Sequence, residues 1–178
     1  MDKTLISYRI FESPCGNLSI GSLDGKLCMC DWTDGNRHQR NISRMKRLLN
    51  AEFVPESTPA IETAIAQIEE YFAGTRRQFE LPLLLTGSEF QKTVWAALQN
   101  IPYGITTTYT DIALKCGKER AVRAIANAIG ANALSIIIPC HRVIGVNGTL
   151  TGYAGGIIAK QRLLTIEGIS QPQFMGQP

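Results

Sequence analysis

One ten-residue stretch of the chain combines the side chains that nucleophilic chemistry requires. It reads Ser135-Ile-Ile-Ile-Pro-Cys-His-Arg-Val-Ile144. Pro139 fixes φ and interrupts the apolar run, so we expect Cys140 to lie at an accessible turn and not to be buried within the run. His141 titrates near neutral pH, and the positive charge of Arg142 favours the thiolate over the thiol. A cysteine is more often a small buried hydrophobe, but these neighbours predict a reactive one.

The order of Cys140 and His141 limits how the two side chains can cooperate. Neighbouring side chains on an extended or turning backbone diverge, so a direct hydrogen bond between imidazole and sulfur is disfavoured. One bridging water would bring the base within reach of the thiol proton. The arrangement differs from that of papain-type hydrolases, whose cysteine and histidine are distant in sequence.

Composition bounds the class of protein. The chain has 178 residues, of which 44% are hydrophobic and 19% charged, which is ordinary for a soluble globular protein of one large or two small domains. No apolar run reaches membrane-spanning length, and the N-terminal Met-Asp-Lys-Thr lacks a signal-peptide pattern. We therefore expect a cytoplasmic protein that has no membrane partner.

The five cysteines favour free thiols, because an odd number does not complete a disulfide framework. Cys28-Met-Cys30 lacks the spacing of a zinc knuckle, although Cys15 lies nearby. We interpret these three thiols and Cys116 as structural, and we expect no metal site.

Charge is distributed unevenly along the chain, whose net charge is +3. Residues 1–85 carry ten basic and eleven acidic side chains, whereas residues 86–178 carry eight and four. A surplus this small agrees with nucleic-acid binding but does not establish it.

The sequence of residues 1–85 predicts a three-stranded antiparallel sheet followed by helices. The alternating segments are Leu5–Glu12, Asn17–Leu23 and Lys26–Trp32, with Asp24-Gly25 as a hairpin turn, and the helical ones are Arg37–Leu49 and Pro59–Ala73. Phe79–Leu85, broken by Pro82, predicts a last edge strand before the linker Thr86-Gly-Ser88.

The helix at Arg37–Leu49 carries arginines near one side, at positions 37, 40, 44 and 47. They can be interpreted as an auxiliary DNA contact or as a solvated basic face, and the second interpretation is the commoner one.

The second half predicts helices. Ser88 and Gln91 form a capping box for a helix ending near Gln99, in which Trp95 is a core residue. Thr108–Cys116 and Glu119–Ile129, separated by a turn at Gly117, have the proportions of a helix-turn-helix. Helix pairs of this kind are also common in hydrophobic cores of proteins that do not bind DNA. Arg123 could form a surface salt bridge with Glu119, four residues before it.

The motif Pro139-Cys-His-Arg-Val143 resembles the active-site motif of the O6-alkylguanine-DNA alkyltransferases. The resemblance extends over about residues 90–168, through Thr108-Tyr109, Ala121-Val-Arg-Ala-Ile125, Gly130-Ala-Asn132, Gly152-Tyr-Ala-Gly-Gly156 and Ile166-Glu-Gly168. It implies a ribonuclease-H-like α/β domain at residues 1–85 and a DNA-binding, alkyl-acceptor domain at residues 86–170. The second domain would be mostly α, winged-helix-like and contain the helix-turn-helix; residues 171–178 would form a tail.

The resemblance also implies a role for each residue of the motif. Cys140 would be the nucleophile and final acceptor, and His141 the water-mediated base oriented by Glu167. Tyr109 would protonate guanine N3, and Asn132 would brace the active-site turn.

The resemblance implies that mainly backbone groups recognise the alkylated base. The carbonyls of Cys140 and Val143 would accept from the exocyclic amine, the Ala154 amide would face O6, and Tyr153 would wall the pocket. Some family members have Ser where this chain has Ala154, which bears on pocket width.

DNA binding is implied to use the second helix of the pair. Arg123 would fill the space left by a nucleotide extruded through the minor groove, since an alkyl group inside the duplex is out of reach of a thiolate. The implied DNA-contacting residues are Thr108, Lys118, Arg123, Ala124, Ala126 and Asn127.

The implied activity is single-turnover repair of O6-alkylguanine, and also of O4-alkylthymine, in double-stranded DNA. It needs no cofactor, and we expect a monomer. Three other classes come into question. The presence of Cys140 counts against an alkyltransferase-like damage sensor, which would lack the acceptor thiol, and the alanine-rich segment Ala121–Ala131 has few of the base-reading side chains that a helix-turn-helix transcription factor needs. A thiol hydrolase stays open, because the donors of an oxyanion hole cannot be read from sequence.

Overall fold

The computed structural model describes residues 3–170, so the tail expected at 171–178 lies outside the described residues. The chain divides into two units between Gly87 and Ser88. The first unit is built on a sheet and the second mainly on helices.

The sheet of the first unit begins with the three antiparallel strands that the sequence predicts. They are β1 (Thr4–Ser13), β2 (Gly16–Leu23) and β3 (Lys26–Trp32). At the β2–β3 turn, Asp24 and Gly25 both have positive φ, 49° and 74°. This is the geometry that favours Asp-Gly in a two-residue hairpin.

A fourth strand makes the sheet mixed, and the expected purely antiparallel three-stranded sheet was wrong. β4 (Ala51–Pro55) pairs in parallel with β1, so the strand order is β3-β2-β1-β4. Its five residues do not alternate clearly between buried and exposed positions. A short parallel edge strand therefore leaves little period-two signal in the sequence.

The predicted strand Phe79–Leu85 was also wrong. Only Leu83 forms a bridge, in parallel with Leu27, flanked by backbone hydrogen bonds from Leu27 to Pro82 and from Leu84 to Leu27. Pro82 lacks an N–H and cannot donate to a continued ladder.

Two helices belong to the first unit. α1 spans Asn36–Leu49 and α2 spans Pro59–Phe72, close to the predicted limits. α2 is capped by Thr58, whose hydroxyl accepts from the Ile61 amide, and it buries Ile61, Ile65 and Ile68.

The second unit contains α3 (Glu89–Gln99), α4 (Tyr109–Lys115), α5 (Val122–Gly130) and α6 (Gly156–Ile166). The capping box of Ser88 and Gln91 is present, and Trp95 is a core residue that donates to the Ala128 carbonyl at 2.8 Å. The indole therefore ties α3 to α5.

The predicted helix Glu119–Ile129 differs at its start. Glu119–Ala121 forms a 3-10 helix, and α5 begins only at Val122. Ala121 has φ −111° and ψ 31°, outside the α region, and no side chain caps α5. Without such a cap the first turn does not continue the α-helix.

A small parallel sheet was not predicted. β5 (Thr107–Thr108) pairs with β6 (Val143–Ile144), so Thr107 faces Val143 and Thr108 faces Ile144. This pairing fixes the start of α4 beside the segment that follows Cys140. In the part of the chain that the structure describes, no helix is both long and apolar enough to cross a membrane.

Candidate active site

Cys140 begins a 3-10 helix, Cys140–Arg142, and only 7% of the residue is exposed. The expectation of an accessible turn was therefore half wrong, since the turn is present but the residue is buried. The preceding isoleucines form consecutive turns, in which Ile138 N donates to Leu134 O and Cys140 N donates to Ile138 O. The apolar run before the cysteine is therefore folded into turns and is not an extended strand.

Asn132 holds the turn that carries the thiol. Its side-chain amide donates to the Ile138 carbonyl at 2.9 Å and to Cys140 Sγ at 3.3 Å, and its Oδ1 accepts from Leu134 N at 2.9 Å. A donor directed at sulfur stabilises the thiolate more than the thiol. Asn132 therefore contacts both the backbone of this turn and the sulfur that it carries.

His141, Arg142 and Glu167 form a buried group next to Cys140. His141 Nε2 lies 2.6 Å from Glu167 Oε1, and the Arg142 guanidinium donates to both Glu167 oxygens, at 2.8 and 3.1 Å. Glu167 is only 5% exposed. Arg142 also donates to the Ile101 carbonyl at 2.6 Å.

These contacts set the charges of the pair. Burial would raise the pKa of Glu167, but hydrogen bonds from His141 and Arg142 and the charge of Arg142 lower it to about 2. Burial lowers the pKa of His141, and this outweighs the opposing effect of Glu167. The pair is therefore a carboxylate and a neutral imidazole whose Nε2–H donates to Oε1. That tautomer leaves Nδ1 as the basic ring nitrogen.

Tyr109 is the first residue of α4 and is half-buried. Thr108 caps this helix: its hydroxyl accepts from Asp111 N and donates to the Asp111 carboxylate at 2.7 Å. The Thr151 hydroxyl donates to the Tyr109 hydroxyl oxygen at 3.3 Å. The phenol is therefore held from both the β5–α4 segment and the loop before α6.

Lys160 is a buried residue that the sequence reasoning missed. It is fully buried on α6, and its ammonium donates to the Val143 carbonyl at 2.6 Å and the Thr151 carbonyl at 3.0 Å. It thus joins the strand after Cys140 to the loop that contacts Tyr109. The sequence signal is a lysine three residues before Leu163, at an apolar position of the helix.

The remaining residues expected from the sequence to line a base pocket lie on β6 and in the segment between β6 and α6. Tyr153 is buried and meets the His141 ring edge to face, with 6.5 Å between ring centroids. Ala154 is half-buried in the turn before α6. Val143 follows Cys140–Arg142 directly and is fully buried.

The residues expected to contact DNA lie mainly on the surface of α5 and before it. Arg123, Ala124, Asn127 and Lys118 are exposed, and Ala126 is half-buried. In the described part of the chain Arg123 forms no ion pair, so the pairing with Glu119 is not made. Thr108 is half-buried, and its hydroxyl is used in capping α4.

Together these features define a class of protein. A helical unit presents a small-residue helix whose Arg123 pairs with no described acidic residue. In the same unit Cys140 accepts from an amide donor and is followed in sequence by His141 of a buried imidazole–carboxylate pair. These features are typical of a DNA-binding protein with a reactive thiol.

Two family models match nearly the whole chain. The 6-O-methylguanine DNA methyltransferase ribonuclease-like domain matches residues 6–85, and the DNA binding domain of the same family matches residues 89–169. The chain belongs to the 6-O-methylguanine DNA methyltransferase family.

Two relatives and one solved structure align with this chain over nearly their whole length. A methylated-DNA--protein-cysteine methyltransferase of Methanosarcina acetivorans is 40% identical over 161 residues, covering 90% of this chain and 97% of the relative. The constitutive one of Bacillus subtilis is 41% identical over 169 residues, covering 92% and 96%. The crystal structure of Mycobacterium tuberculosis OGT in complex with DNA has a TM-score of 0.76 at 38% identity, covering 90% and 92%.

Replacing Lys160 by methionine should slow alkyl transfer at least tenfold. The change keeps the bulk of the side chain but removes two charge-assisted hydrogen bonds, each worth roughly 1.5–3 kcal/mol. Single-turnover rates and thermal unfolding should be measured beside Gln161→Met, an exposed position on the same helix. Equal rates for the two variants would contradict the positioning role of Lys160.

His141 should bind its proton below the ordinary pKa of 6.5, because its burial outweighs the neighbouring carboxylate. The imidazole therefore stays neutral as the pH falls through 6.5 and protonates only at lower pH. An NMR titration of the ring protons checks this, with His141→Gln identifying which of the two histidine signals disappears. A midpoint at or above 6.5 would rule out the neutral pair.

Proposed function

We propose that this protein repairs DNA by transferring the alkyl group of O6-alkylguanine to the sulfur of Cys140. The observation that carries the proposal is the contact of Asn132 with Cys140 Sγ, 3.3 Å, beside the buried pair of His141 and Glu167. Relatives named methylated-DNA--protein-cysteine methyltransferase, which align over nearly their whole length, support the same reaction.

The Cys140 thiol has an activating neighbour in the side-chain amide of Asn132. Burial raises the pKa of Cys28 to about 12 and raises that of Cys30 further, and it also raises the pKa of Cys116. Thiols with raised pKa values hold little thiolate at neutral pH. At Cys140 the side-chain amide of Asn132 donates to Sγ at 3.3 Å, and a donor at sulfur favours the thiolate, which supports Cys140 as the acceptor.

The reaction is a displacement at carbon. His141 takes the thiol proton through a bridging water, and the thiolate attacks the alkyl carbon from behind the C–O bond. The new S–C bond forms as C–O breaks, and the electron pair passes to guanine O6 and the ring. Tyr109 then donates a proton at N3, so that the leaving guanine is neutral. Glu167 keeps the imidazole oriented throughout.

The base must leave the duplex to reach a thiol that is 7% exposed. We propose that α5 enters the minor groove, where its alanines permit close approach, and that Arg123 fills the space of the extruded nucleotide. The exposed and unpaired guanidinium supports this role. Lys118, Asn127 and the Thr108 segment would contact the backbone, with Ala124 and Ala126 against the groove.

The flipped base would be read by nearby backbone groups. The carbonyls of Cys140 and Val143 would accept from its exocyclic amine, and the Ala154 amide would face O6. Tyr153 would stack against the base. Lys160 already donates to the Val143 carbonyl, which supports a fixed position for that acceptor.

The product is a thioether, which no group in the proposed mechanism releases, so each molecule acts once. The alkyl group comes from the lesion, and we propose that no cofactor takes part. O4-alkylthymine presents a comparable alkyl–oxygen bond and would be a second substrate. We further propose action as a monomer in the cytoplasm, where free cysteines such as those of this chain stay reduced.

At the level of fold, we propose a ribonuclease-H-like first domain, residues 1–85, and a winged-helix-like second domain, residues 86–170. The mixed sheet with α1 and α2 supports the first assignment. The successive helices α4 and α5, with the two-stranded β5–β6 sheet, support the second.

Mixing the protein with a duplex that contains O6-methylguanine should give one methyl adduct per chain, on Cys140, with stoichiometric loss of the lesion. Intact-mass and peptide mass spectrometry measure both quantities. Cys140→Ala should give no adduct, and Cys116→Ser should behave like the wild type. Catalytic turnover would indicate a hydrolase, and absence of an adduct would indicate a damage sensor or a transcription factor.

Arg123→Ala should slow repair of duplex DNA by about 10-fold or more while sparing reaction with free alkylated guanine, because only the duplex requires extrusion. Tyr109→Phe should slow both reactions, because it removes the proton donor. Single-turnover rates on both substrates test this, with Arg120→Ala as an exposed control next to α5. An equal effect of Arg123→Ala on both substrates would disprove its assigned role.

A further inference from the structure

Helix α1 of the first unit carries a row of arginines outside the site described above. Arg37, Arg40, Arg44 and Arg47 are spaced so that they fall within an arc of about 80° and along about 15 Å of helix. Arg37, Arg40 and Arg47 are exposed, whereas Arg44 is half-buried. The three exposed arginines are called the α1 stripe below.

The charge of the α1 stripe is not compensated by the rest of the described chain. α1 contains no acidic residue, and none of the three arginines forms an ion pair with a described residue. Other basic residues of the unit differ, since Lys3 pairs with Glu52 and Arg9 with Glu62.

Two residues of the stripe, Arg37 and Arg40, are unfavourable for the helix itself, whereas Arg47 lies in the last turn, where the dipole favours a cation. Like charges three or four residues apart repel each other. Arg37 and Arg40 lie near the N-terminal end of α1, where the helix dipole disfavours cations. The N-cap is Gly35, which makes no side-chain cap hydrogen bond, and the first turn has no acidic residue. A sequence selected only for folding would not collect these features, which favours a function for the stripe.

The inner face of α1 has its own attachment, which does not involve the stripe. Asp31 is fully buried and accepts from Asn41 Nδ2 at 2.9 Å, and it lies 3.2 Å from His38 Nδ1. Burial lowers the pKa of Arg44, and the charge of Asp31 opposes this. With Met45 fully buried on the same helix, the inner contacts fix α1 and leave the stripe directed to solvent.

We propose that the α1 stripe is a second DNA-binding surface, which contacts the phosphates of duplex DNA without reading sequence. Duplex DNA is the partner because the proposal rests on the proposed function, in which this chain already binds it. Three unpaired guanidinium groups in a row complement a line of phosphates, each of which arginine can bind through two hydrogen bonds. Such a surface suits a protein whose lesion can occur at any sequence.

The test compares two triple variants in binding to an undamaged duplex. Arg37→Gln/Arg40→Gln/Arg47→Gln removes the stripe, and Lys3→Gln/Arg9→Gln/Lys26→Gln removes the same charge from the unit outside α1. Fluorescence anisotropy should be measured between about 50 and 200 mM salt, where each phosphate contact contributes about 0.9 to the slope of log K against log salt. For the stripe variant we expect the slope of log K against log salt to be smaller in magnitude by about two to three, and the affinity for the duplex to fall at least tenfold. The control variant should keep a slope and an affinity close to those of the wild type.

Thermal unfolding separates this role from a structural one. Because like-charge repulsion is relieved, the stripe variant should unfold at the same or a higher temperature while binding DNA more weakly. An unchanged slope, or equal losses in the two triple variants, overturns the proposal.

Reaction with free alkylated guanine distinguishes this proposal from the proposed function. All variants should alkylate Cys140 at the wild-type rate with the free base, since no stripe residue belongs to the site. If the stripe variant shows the expected loss of slope but Cys140 of the wild type is never alkylated, the proposed function is contradicted and the stripe proposal is still supported.

Discussion

The buried carboxylate of Glu167 is the interaction on which the site depends. A lone carboxylate in this position would be strongly disfavoured, and it is stable because charged and neutral donors surround it. Arg142 binds both oxygens, His141 donates to one, and the Gly104 amide donates to the other at 3.1 Å. Removing any partner would leave part of a buried charge unsatisfied, so the orientation of the imidazole next to the thiol is fixed by the stability of the fold.

The backbone of the same residue, Glu167, explains why a glycine lies in the turn after α3. Gly104 has φ 76°, and a Cβ at that position would lie 3.1 Å from the Glu167 carbonyl oxygen. The neighbouring Tyr103 donates to the Ile166 carbonyl at 2.9 Å, and the Arg142 guanidinium lies 5.8 Å from its ring centroid. This loop therefore closes around the end of α6 and keeps water from the ion pair, which strengthens the electrostatic interactions within it.

Local sequence rules predicted those parts of the fold that local interactions determine. The Asp24-Gly25 hairpin and the capping box of Ser88 and Gln91 depend on residues at most three apart, and both are present. β4 and the burial of Cys140 depend on partners distant in sequence, so no window of the chain shows them. Lys160 was missed for a related reason: an apolar helix position predicts an apolar residue, and only the fold brings two carbonyls to its ammonium.

Ile136, four residues before the nucleophile, has a strained backbone conformation that only the folded unit maintains. Ile136 has φ 72°, which costs a β-branched residue roughly 1–3 kcal/mol. The residue is 1% exposed, and Asn132 holds the backbone on both sides of it through Leu134 and Ile138. Burial and these two hydrogen bonds offset the strain, and the conformation they maintain turns the chain back so that Cys140 Sγ meets the Asn132 amide. The thiol is thus positioned by a turn that is stable only when the surrounding unit is folded, which explains why the motif sequence alone predicted its chemistry but not its burial.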